Sequence, residues 1–378
     1  MVSSGSLCPL KEAGARAEVN HAVAFKGQAL TRYSMINGLN ITIEALGADL
    51  AGRIEGFGRL CEVQKFGTGQ SNPTYKLTTT TGAYVLRAKP EGKLLASAHM
   101  VEREFRVMQA LEGGPVPVPA MCCLVEGPGG PIGRSFFVMS YLDGRIFWDP
   151  ALPDATPAQR GRIYDGMNRV LADLHGVDPN VVGLGEFGKP GNYFLRQSTR
   201  WASQYNASAL TSDPVMLWLI DWIAENMPPD DGSVGLVHGD FRLDNMMFGP
   251  DRDEVIALLD WELSTLGHPL ADLAYQCMQW RLPHQGGMRG LGGLDRAALG
   301  LPTESGYVAS YLTRRGLQQI ENWSFYLVFS FFRLAAILEG VVRRAHDGNA
   351  SNPETARSYA KAIPVLAEMA QNIARRGA

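Results

Sequence analysis

One short stretch of the 378-residue chain combines residue types that can do chemistry: HGDFRLDN, residues 238–245. It directly follows an apolar run, 234–237, that is typical of a buried strand. Glycine, aspartate and asparagine tolerate unusual backbone angles, so the stretch could be a plain turn. Asp240 and Asn245, five residues apart, could instead serve phosphoryl transfer, in which one side chain orients a hydroxyl and another holds a metal ion.

A third oxygen-bearing side chain, Asp260, follows the apolar run 255–259. If that run pairs as a hairpin with NMMF, residues 245–248, then Asn245 and Asp260 lie near the same end of it. Carboxylate and amide oxygens are hard ligands of the kind that Mg²⁺ prefers. The spacing Asp-x4-Asn also matches the catalytic loop of protein kinases. The pattern therefore favours catalysis over a plain turn and predicts a Mg²⁺ site.

Composition and charge narrow the class of protein. Hydrophobic residues make up 46% of the chain and charged residues 19%, as in globular proteins with a sizeable core. A net charge of −3 argues against a protein built to coat nucleic acid, so we expect no nucleic-acid partner. The five cysteines are irregularly spaced and match neither a disulfide framework nor a zinc site, which favours a reducing cytoplasm.

The sequence also argues against a membrane partner. The N-terminal residues lack the apolar core of a signal peptide. The most apolar later stretch, 324–342, contains Arg333 and Glu339 and is short for a bilayer span. We therefore predict a buried helix at 324–342.

The first part of the chain combines short β-rich runs with helices. Residues 1–34 show no clear period and are interpreted as a leader that need not be ordered. Apolar residues at every fourth position from Leu46 to Ile54 predict one helix. The segment 61–90 predicts an antiparallel meander of about three strands with a glycine loop. A helix over 97–112, with Ser97 as its N-cap, and a second β pair follow.

Beyond about residue 155 the pattern becomes helical. Thr156-Pro157 is typical of a helix start, and another helix is predicted over 214–227. A glycine-rich stretch, 286–300, predicts a loop. We predict an α+β protein with a β-rich N-lobe at 35–145 and an α-rich C-lobe at 146–378, joined near 143–150.

HGDFRLDN, followed by LLDWELSTLGHPLADLAY, resembles the aminoglycoside phosphotransferase and choline kinase-like family, relatives of the protein kinases. Further segments resemble the branch that includes the kinase-like domain joined to some acyl-CoA dehydrogenases. These segments are FGTGQSNPTY, LRAKP, VEREFRVMQAL, VPVP, LADLHGVD, GKPGNYFLRQ and FSFFRLAAILEG. The resemblance covers the chain from about residue 44 to the end. It implies a protein-kinase-like bilobal fold that transfers the γ-phosphate of ATP, with Mg²⁺, to a hydroxyl of a small molecule.

The resemblance implies a role for each matching residue. Asp240 is the expected catalytic base, Asn245 and Asp260 are the expected Mg²⁺ ligands, and Glu262 is expected to assist the metal or the substrate. His238 is expected to support the loop as a structural hydrogen-bonding group. The expected ATP-binding residues lie in the glycine loop, the strand and helix after it, and the joint: Gly67, Gly69, Ser71, Asn72, Arg87, Lys89, Glu104, Met139 and Tyr141.

The cation that holds the phosphates stays open at this point. The kinase lysine matches Arg87, but Lys89 lies two residues on and hence on the same face of a strand. Glu104 falls on the apolar face of its helix, where a carboxylate needs a partner, so it is preferred over Glu102. The family pairs this helix glutamate with the strand cation.

Asp272 favours the first turn of a helix, and the family implies that it also braces the catalytic loop.

The chemical class of the acceptor molecule is predicted from charge. Arg242, Trp280 and Arg281 are candidates for contacts with substrate or phosphate, although packing would explain Trp280 and Arg281 equally well. Five arginines between residues 280 and 320 suit an anionic acceptor such as a hydroxyacyl-CoA or a hydroxy acid.

Three other interpretations remain. An aminoglycoside or other antibiotic kinase shares the motifs, and a hydrolase could use Asp240 to activate water. Arg87 in place of lysine would also suit a pseudokinase that binds without turnover. The sequence does not fix the oligomeric state.

Overall fold

In the computed structural model, the described residues are 35–67, 72–92, 100–285, 288–348 and 353–377, with side chains left out at 353–358. The predictions for the leader 1–34 and for Gly69, Ser71 and Ser97 lie outside these residues.

The N-lobe is one antiparallel sheet with two helices. The strands follow the sheet order β1-β2-β3-β5-β4, which confirms both the predicted meander and the second β pair. The sheet buries alternate residues, as in β2, where Tyr75 and Leu77 point into the core. The elements are α1 (Ile43–Ala51), β1 (Leu60–Lys65), β2 (Thr74–Thr79), β3 (Ala83–Ala88), α2 (Val101–Leu111), β4 (Met121–Val125) and β5 (Phe136–Ser140).

The C-lobe is mainly helical, as predicted. Its first helix begins at the expected Thr156-Pro157, where Thr156 and Gln159 form a capping box. The glycine-rich stretch predicted as a loop contains a short helix, α7. The elements are α3 (Pro157–Gly176), α4 (Tyr193–Ser208), α5 (Pro214–Glu225), β6 (Gly235–Val237), β7 (Met246–Phe248), β8 (Val255–Leu258), β9 (Thr265–Gly267), α6 (Leu270–Arg281), α7 (Arg296–Leu299), α8 (Glu304–Arg315), α9 (Trp323–His346) and α10 (Pro353–Arg376).

Helix α9 forms the centre of the C-lobe and packs against α4, α6 and α10. Within the described residues it is long and apolar enough to cross a membrane by length and composition, but 83% of its most apolar window is buried inside the fold. The prediction of a buried helix at this position is confirmed.

Helix α2 connects the two lobes. Val101, Phe105 and Met108 on its apolar face belong to the large core cluster of the C-lobe, not to the N-lobe cluster under the sheet. Arg103 on the same helix donates hydrogen bonds to the carbonyl oxygens of Phe187, at 2.8 Å, and Ser264, at 3.2 Å. Helix α2 therefore packs against both the C-lobe core and strands β4 and β5 of the N-lobe sheet.

The predicted joint is tied to the hairpin of β7 and β8. Arg145 and Phe248 exchange backbone hydrogen bonds of 2.8 and 2.9 Å. A Cβ atom on the preceding residue, Gly144, would lie 2.6 Å from the carbonyl oxygen of Phe248 and 2.5 Å from Cγ of Met247. Only glycine allows this close approach between the chain segments.

We expect Gly144→Ala to lower the free energy of unfolding by about 1–3 kcal/mol, because the new methyl group overpacks the joint. Chemical denaturation measures the change. Gly129→Ala is the matched control, since a Cβ atom at Gly129 would meet nothing within 4 Å. Equal stability of the two variants would contradict the close packing of the joint.

Candidate active site

The loop 238–245 runs from β6 to β7 and is held from beneath by Asp272. This carboxylate, fully buried in the first turn of α6, accepts hydrogen bonds from the N–H groups of His238, at 2.6 Å, and Gly239, at 2.8 Å. Burial alone would raise the pKa of Asp272, but hydrogen bonds from His175 and Gly239 hold it below its usual range. Asp272 thus makes the contacts that bracing of the loop requires.

His238 makes structural contacts, as expected. Its side chain is buried, with Nε2 2.9 Å from the carbonyl oxygen of Leu259 and Nδ1 3.3 Å from the N–H of Asp240. Both ring nitrogens of His238 are therefore occupied by backbone groups, one in the loop and one at Leu259. Neither nitrogen is free for acid–base catalysis.

The carboxylate of Asp240 is directed by two neighbours from its own loop. Asn245 donates from Nδ2 to the carbonyl oxygen of Asp240, at 2.8 Å, and to its Oδ2, at 3.0 Å. Nε of Arg242 lies 3.4 Å from Oδ1 of Asp240, and its Nη2 donates to Asp244 at 2.8 Å. Burial would lower the pKa of Arg242, but the carboxylates of Asp240 and Asp244 raise it overall.

The hairpin predicted from the apolar runs is present. Met246 pairs with Leu258, and the N–H of Leu259 donates to the carbonyl oxygen of Asn245 at 2.8 Å. Asp260 comes next, in a left-handed conformation with φ of 65°. Asn245 and Asp260 therefore lie side by side at one end of the hairpin.

This corner suits a magnesium ion by the chemistry of its donors. No group of three or more His, Cys, Asp or Glu side chains in the described ranges is arranged to hold a metal by itself. Mg²⁺ is commonly held by one or two carboxylates together with the phosphate oxygens of a substrate. Asp260 and Asn245 would supply the protein oxygens, with Glu262 nearby.

Arg87 and Lys89, the two candidates for the phosphate-holding cation, have different partners. Its Nε lies 2.9 Å from Oε2 of Glu104, and its Nη2 lies 2.8 Å from Oδ1 of Asp260. Lys89 is paired with Glu102 at 2.6 Å instead. Both side chains therefore reach glutamates of α2, as expected for residues two apart on one strand, but only Arg87 also contacts Asp260. Which of the two holds the phosphates stays a prediction.

The pair of Arg87 and Glu104 carries surplus negative charge around it. Burial raises the pKa of Glu104 to about 8, against the lowering effect of Arg87. Asn72 Nδ2 donates to Oε1 of Glu104 at 2.7 Å, so this predicted ATP-site residue positions the glutamate. Arg87 contacts three carboxylates, those of Glu104, Asp260 and, at 4.0 Å, Glu262. One guanidinium does not balance three carboxylates, so the charge of the cluster favours a further cation.

The other predicted nucleotide residues line the mouth of the cleft or its joint. Gly67 is the last described residue before 68–71, so its expected approach to the phosphates stays a prediction. Met139 pairs with Val85 in the sheet. The N–H of Tyr141 donates to the carbonyl oxygen of Ala83 at 3.2 Å, so that group is not available to adenine.

A pocket of about 370 Å³ opens beside the catalytic loop. Tyr275 of α6 lines it, and the sequence reasoning missed this residue because it follows the apolar pattern of a helix. The nearby carboxylate of Asp240 adds to burial in raising the pKa of Tyr275. The lining residues are Phe147, Trp148, Pro150, Arg242, Leu243, Asp244, Tyr275, Gln276, Gln279, Trp280, Leu282, Met288, Arg289, Leu334, Leu338 and Tyr359.

Two candidates for substrate contact are mainly structural. Trp280 lines the pocket but is 1% exposed and packs edge-on against Tyr164 and Tyr307. Arg281 is absent from the lining and forms two 2.7 Å hydrogen bonds with Glu304. Of the two roles left open for Arg281, these contacts favour the structural one.

The expected cluster of free arginines is also smaller than predicted. Arg296 donates to the carbonyl oxygen of Trp280 at 2.9 Å, and Arg314 pairs with Asp165 at 2.6 Å. Arg289 does line the pocket, with a 3.3 Å contact to Asp149 at the surface. Arg242 and Arg289 therefore remain as the arginines of the pocket.

Comparison with known proteins agrees with this geometry. The model of the family described as "Phosphotransferase enzyme family" matches residues 62–312. The chain is 46% identical over 316 residues to mouse acyl-CoA dehydrogenase family member 10, which covers 83% of this chain. It is 43% identical over 328 residues to the probable acyl-CoA dehydrogenase IBR3 of Arabidopsis thaliana, which covers 82%. The chain spans 29% and 39% of the lengths of these two relatives.

Solved structures show the same fold. A Ralstonia eutropha crystal structure named after the aminoglycoside phosphotransferases has a TM-score of 0.80 and 46% identity, and the match covers 88% of this chain and 98% of that one. A thermostable mutant of the aminoglycoside phosphotransferase APH(4)-Ia has a TM-score of 0.56 at 15% identity, and the match covers 88% of this chain and 99% of that one, which shows the fold alone. This chain belongs to the phosphotransferase enzyme family, with the aminoglycoside phosphotransferase fold, in the branch that it shares with acyl-CoA dehydrogenase family members 10 and 11.

Proposed function

We propose that this phosphotransferase moves the γ-phosphate of Mg·ATP to a hydroxyl group of a small molecule. The observation that carries the proposal is the convergence of Asp240, Asn245, Asp260 and Arg87 at one cleft, at the distances given above. Neighbours of the same fold were crystallised with ADP or AMP-PNP and hygromycin B, which supports a nucleotide and a small acceptor.

Each side chain has a role in this reaction. Arg87 holds the phosphates, and Asp260 and Asn245 would hold a magnesium ion, which would neutralise charge on the transferring group. Asp240 orients the acceptor hydroxyl and accepts its proton late in the transfer. Asn245 keeps the carboxylate of Asp240 aimed, so positioning and charge stabilisation supply most of the rate.

The pocket beside Asp240 supports an anionic, partly apolar acceptor, such as a hydroxyacyl-CoA or a hydroxy acid. Its walls combine aromatic and aliphatic side chains with two arginines: Arg242, which is paired with Asp240 and Asp244, and Arg289, which is paired with Asp149. An anionic acceptor would bind these guanidinium groups in place of the carboxylates, which is why we prefer it to a polycationic aminoglycoside. The described cysteines, Cys61, Cys122, Cys123 and Cys277, are free thiols, which suits a reducing compartment such as the cytoplasm.

The first test is a screen of hydroxyacyl-CoAs, hydroxy acids and aminoglycosides for ADP release with Mg·ATP. We expect turnover with a hydroxy-acid or hydroxyacyl acceptor, and we expect Asp240→Asn to lower kcat by about 10²–10⁴-fold, since it removes the base. Thermal unfolding of the variant serves as the folding control. Full activity of folded Asp240→Asn on the best acceptor would contradict the role of Asp240.

The second test concerns the phosphate-holding cation. Arg87→Met should lower kcat/KM for ATP by about 10²-fold or more, because it removes the phosphate contact and leaves Glu104 buried without its partner. Lys89→Met is the matched control on the same chain segment and should stay within about twofold of the wild type, since Lys89 pairs with Glu102. A larger loss of kcat/KM for ATP in Lys89→Met than in Arg87→Met would show that Lys89 holds the phosphates.

The third test concerns the charge of the acceptor. Arg289→Gln should raise KM for an anionic acceptor about five- to tenfold while KM for ATP is unchanged, because it removes one favourable charge from the pocket. Arg252→Gln is the control, on an arginine whose side chain is 79% exposed in the turn between β7 and β8. A lower KM for the acceptor in Arg289→Gln would indicate a cationic substrate instead.

A further inference from the structure

Arg333 is a buried cation with no evident counter-charge among the described residues. It lies in the middle of α9 with 6% of its surface exposed. Its guanidinium is 5.4 Å from the ring centre of Tyr275 and 5.8 Å from that of Trp201. In the part of the chain that the structure describes, it forms no ion pair with a carboxylate, and its Nε has no hydrogen-bond partner. Burying a charge in this way is costly, and two aromatic faces offset only part of the cost.

Arg333 makes a hydrogen bond to the catalytic loop. Its Nη2 donates to the carbonyl oxygen of Gly239 at 2.7 Å. That carbonyl belongs to the same peptide unit as the N–H of Asp240, which lies 3.3 Å from Nδ1 of His238. In a planar trans peptide the C=O and N–H groups point in opposite directions. Arg333 and His238 therefore hold opposite ends of the peptide plane that leads into Asp240.

The neighbouring peptide is held as well, so the loop has little freedom at this point. The N–H of Gly239 donates to Oδ1 of Asp272 at 2.8 Å. Gly239 has a φ of 85°, and a Cβ there would lie 2.7 Å from the carbonyl oxygen of Leu263. Gly239 is thus fixed between a buried anion on its N–H side and a buried cation on its C=O side.

We propose that Arg333 is a positioning residue for phosphoryl transfer, which fixes the peptide plane before Asp240 and so sets the direction of the Asp240 carboxylate. A neutral donor would satisfy the Gly239 carbonyl at a lower desolvation cost. The presence of a cation at position 333 is therefore better explained by the need to orient the Asp240 carboxylate than by a gain in the stability of the fold. This role rests on the proposed function, because its consequence is a rate of phosphoryl transfer.

Arg333→Met separates positioning from packing. We expect kcat on the best acceptor to fall about 10- to 100-fold, because a small misplacement of a catalytic group has effects of this size. KM for ATP should stay within about twofold, and thermal stability should be kept or rise, since an unpaired buried charge is removed. Arg333→Lys, which keeps the charge and one donor, should recover part of kcat.

Arg160→Met is the matched control. Arg160 is also buried in a C-lobe helix and donates to the carbonyl oxygens of Leu152, Pro153 and Leu299, away from the catalytic loop. We expect this variant to lose stability but to keep kcat per folded molecule. If Arg333→Met keeps at least half of the wild-type kcat, or loses it only in proportion to its unfolded fraction, the proposal is overturned.

Hydrogen–deuterium exchange tests the same claim without turnover. In Arg333→Met, a peptide spanning 238–245 should exchange about tenfold faster than in the wild type, while a peptide from α8, 304–315, should be unchanged. Unchanged exchange at 238–245, or an equal increase in both peptides, would overturn the proposal. A wild-type protein without phosphotransfer would instead refute the proposed function, and the exchange result would still decide the role of Arg333.

Discussion

The site depends on the contacts of the Arg87 guanidinium, because they join the two lobes at the cleft beside Asp260 and the loop of Asp240. Its hydrogen bond to Asp260, at 2.8 Å, connects the N-lobe sheet to the hairpin of the C-lobe, and its ion pair with Glu104, at 2.9 Å, connects the sheet to α2. Since α2 packs into the C-lobe core and is held by Arg103, this cation is fixed from both sides. The geometry of the cleft therefore follows from contacts within the chain itself.

The loop 238–245 is held by two buried charged side chains, Asp272 and Arg333. Asp272 fixes the backbone N–H groups of His238 and Gly239, and Arg333 fixes the carbonyl oxygen of Gly239. These buried charges would be unfavourable in an ordinary core, where apolar packing serves stability better. They are understandable if the loop has to present Asp240 in one direction, because transfer to a hydroxyl depends strongly on geometry.

The proximity of the chemistry-bearing residues could be predicted because their relation is local in the chain. Asp240 and Asn245 share one loop, and Asp260 follows β8, which pairs with the β7 strand that begins after Asn245. Their roles came from the family resemblance. The apolar face of the helix pattern was enough to choose Glu104 over Glu102 as the partner of the strand cation. The strand pattern could not choose between Arg87 and Lys89, because both reach α2 and only the fold shows which glutamate each one meets. The structural contact of Arg281 could not be predicted either, since its partner Glu304 lies 23 residues further along and only the fold brings them together.

Tyr275 had no sequence signal of its own, because it sits within an apolar helix pattern that core packing explains. Arg333 stood out as a charge in the apolar stretch 324–342, but the sequence does not show that it contacts the loop at Gly239.

The central claim is that the cleft transfers phosphate to a hydroxyl and not to water. The most direct measurement is ³¹P NMR of the product formed from Mg·ATP and the best acceptor in H₂¹⁸O. The account predicts a phosphate monoester of the acceptor without ¹⁸O. Inorganic phosphate labelled with ¹⁸O as the sole product would contradict it.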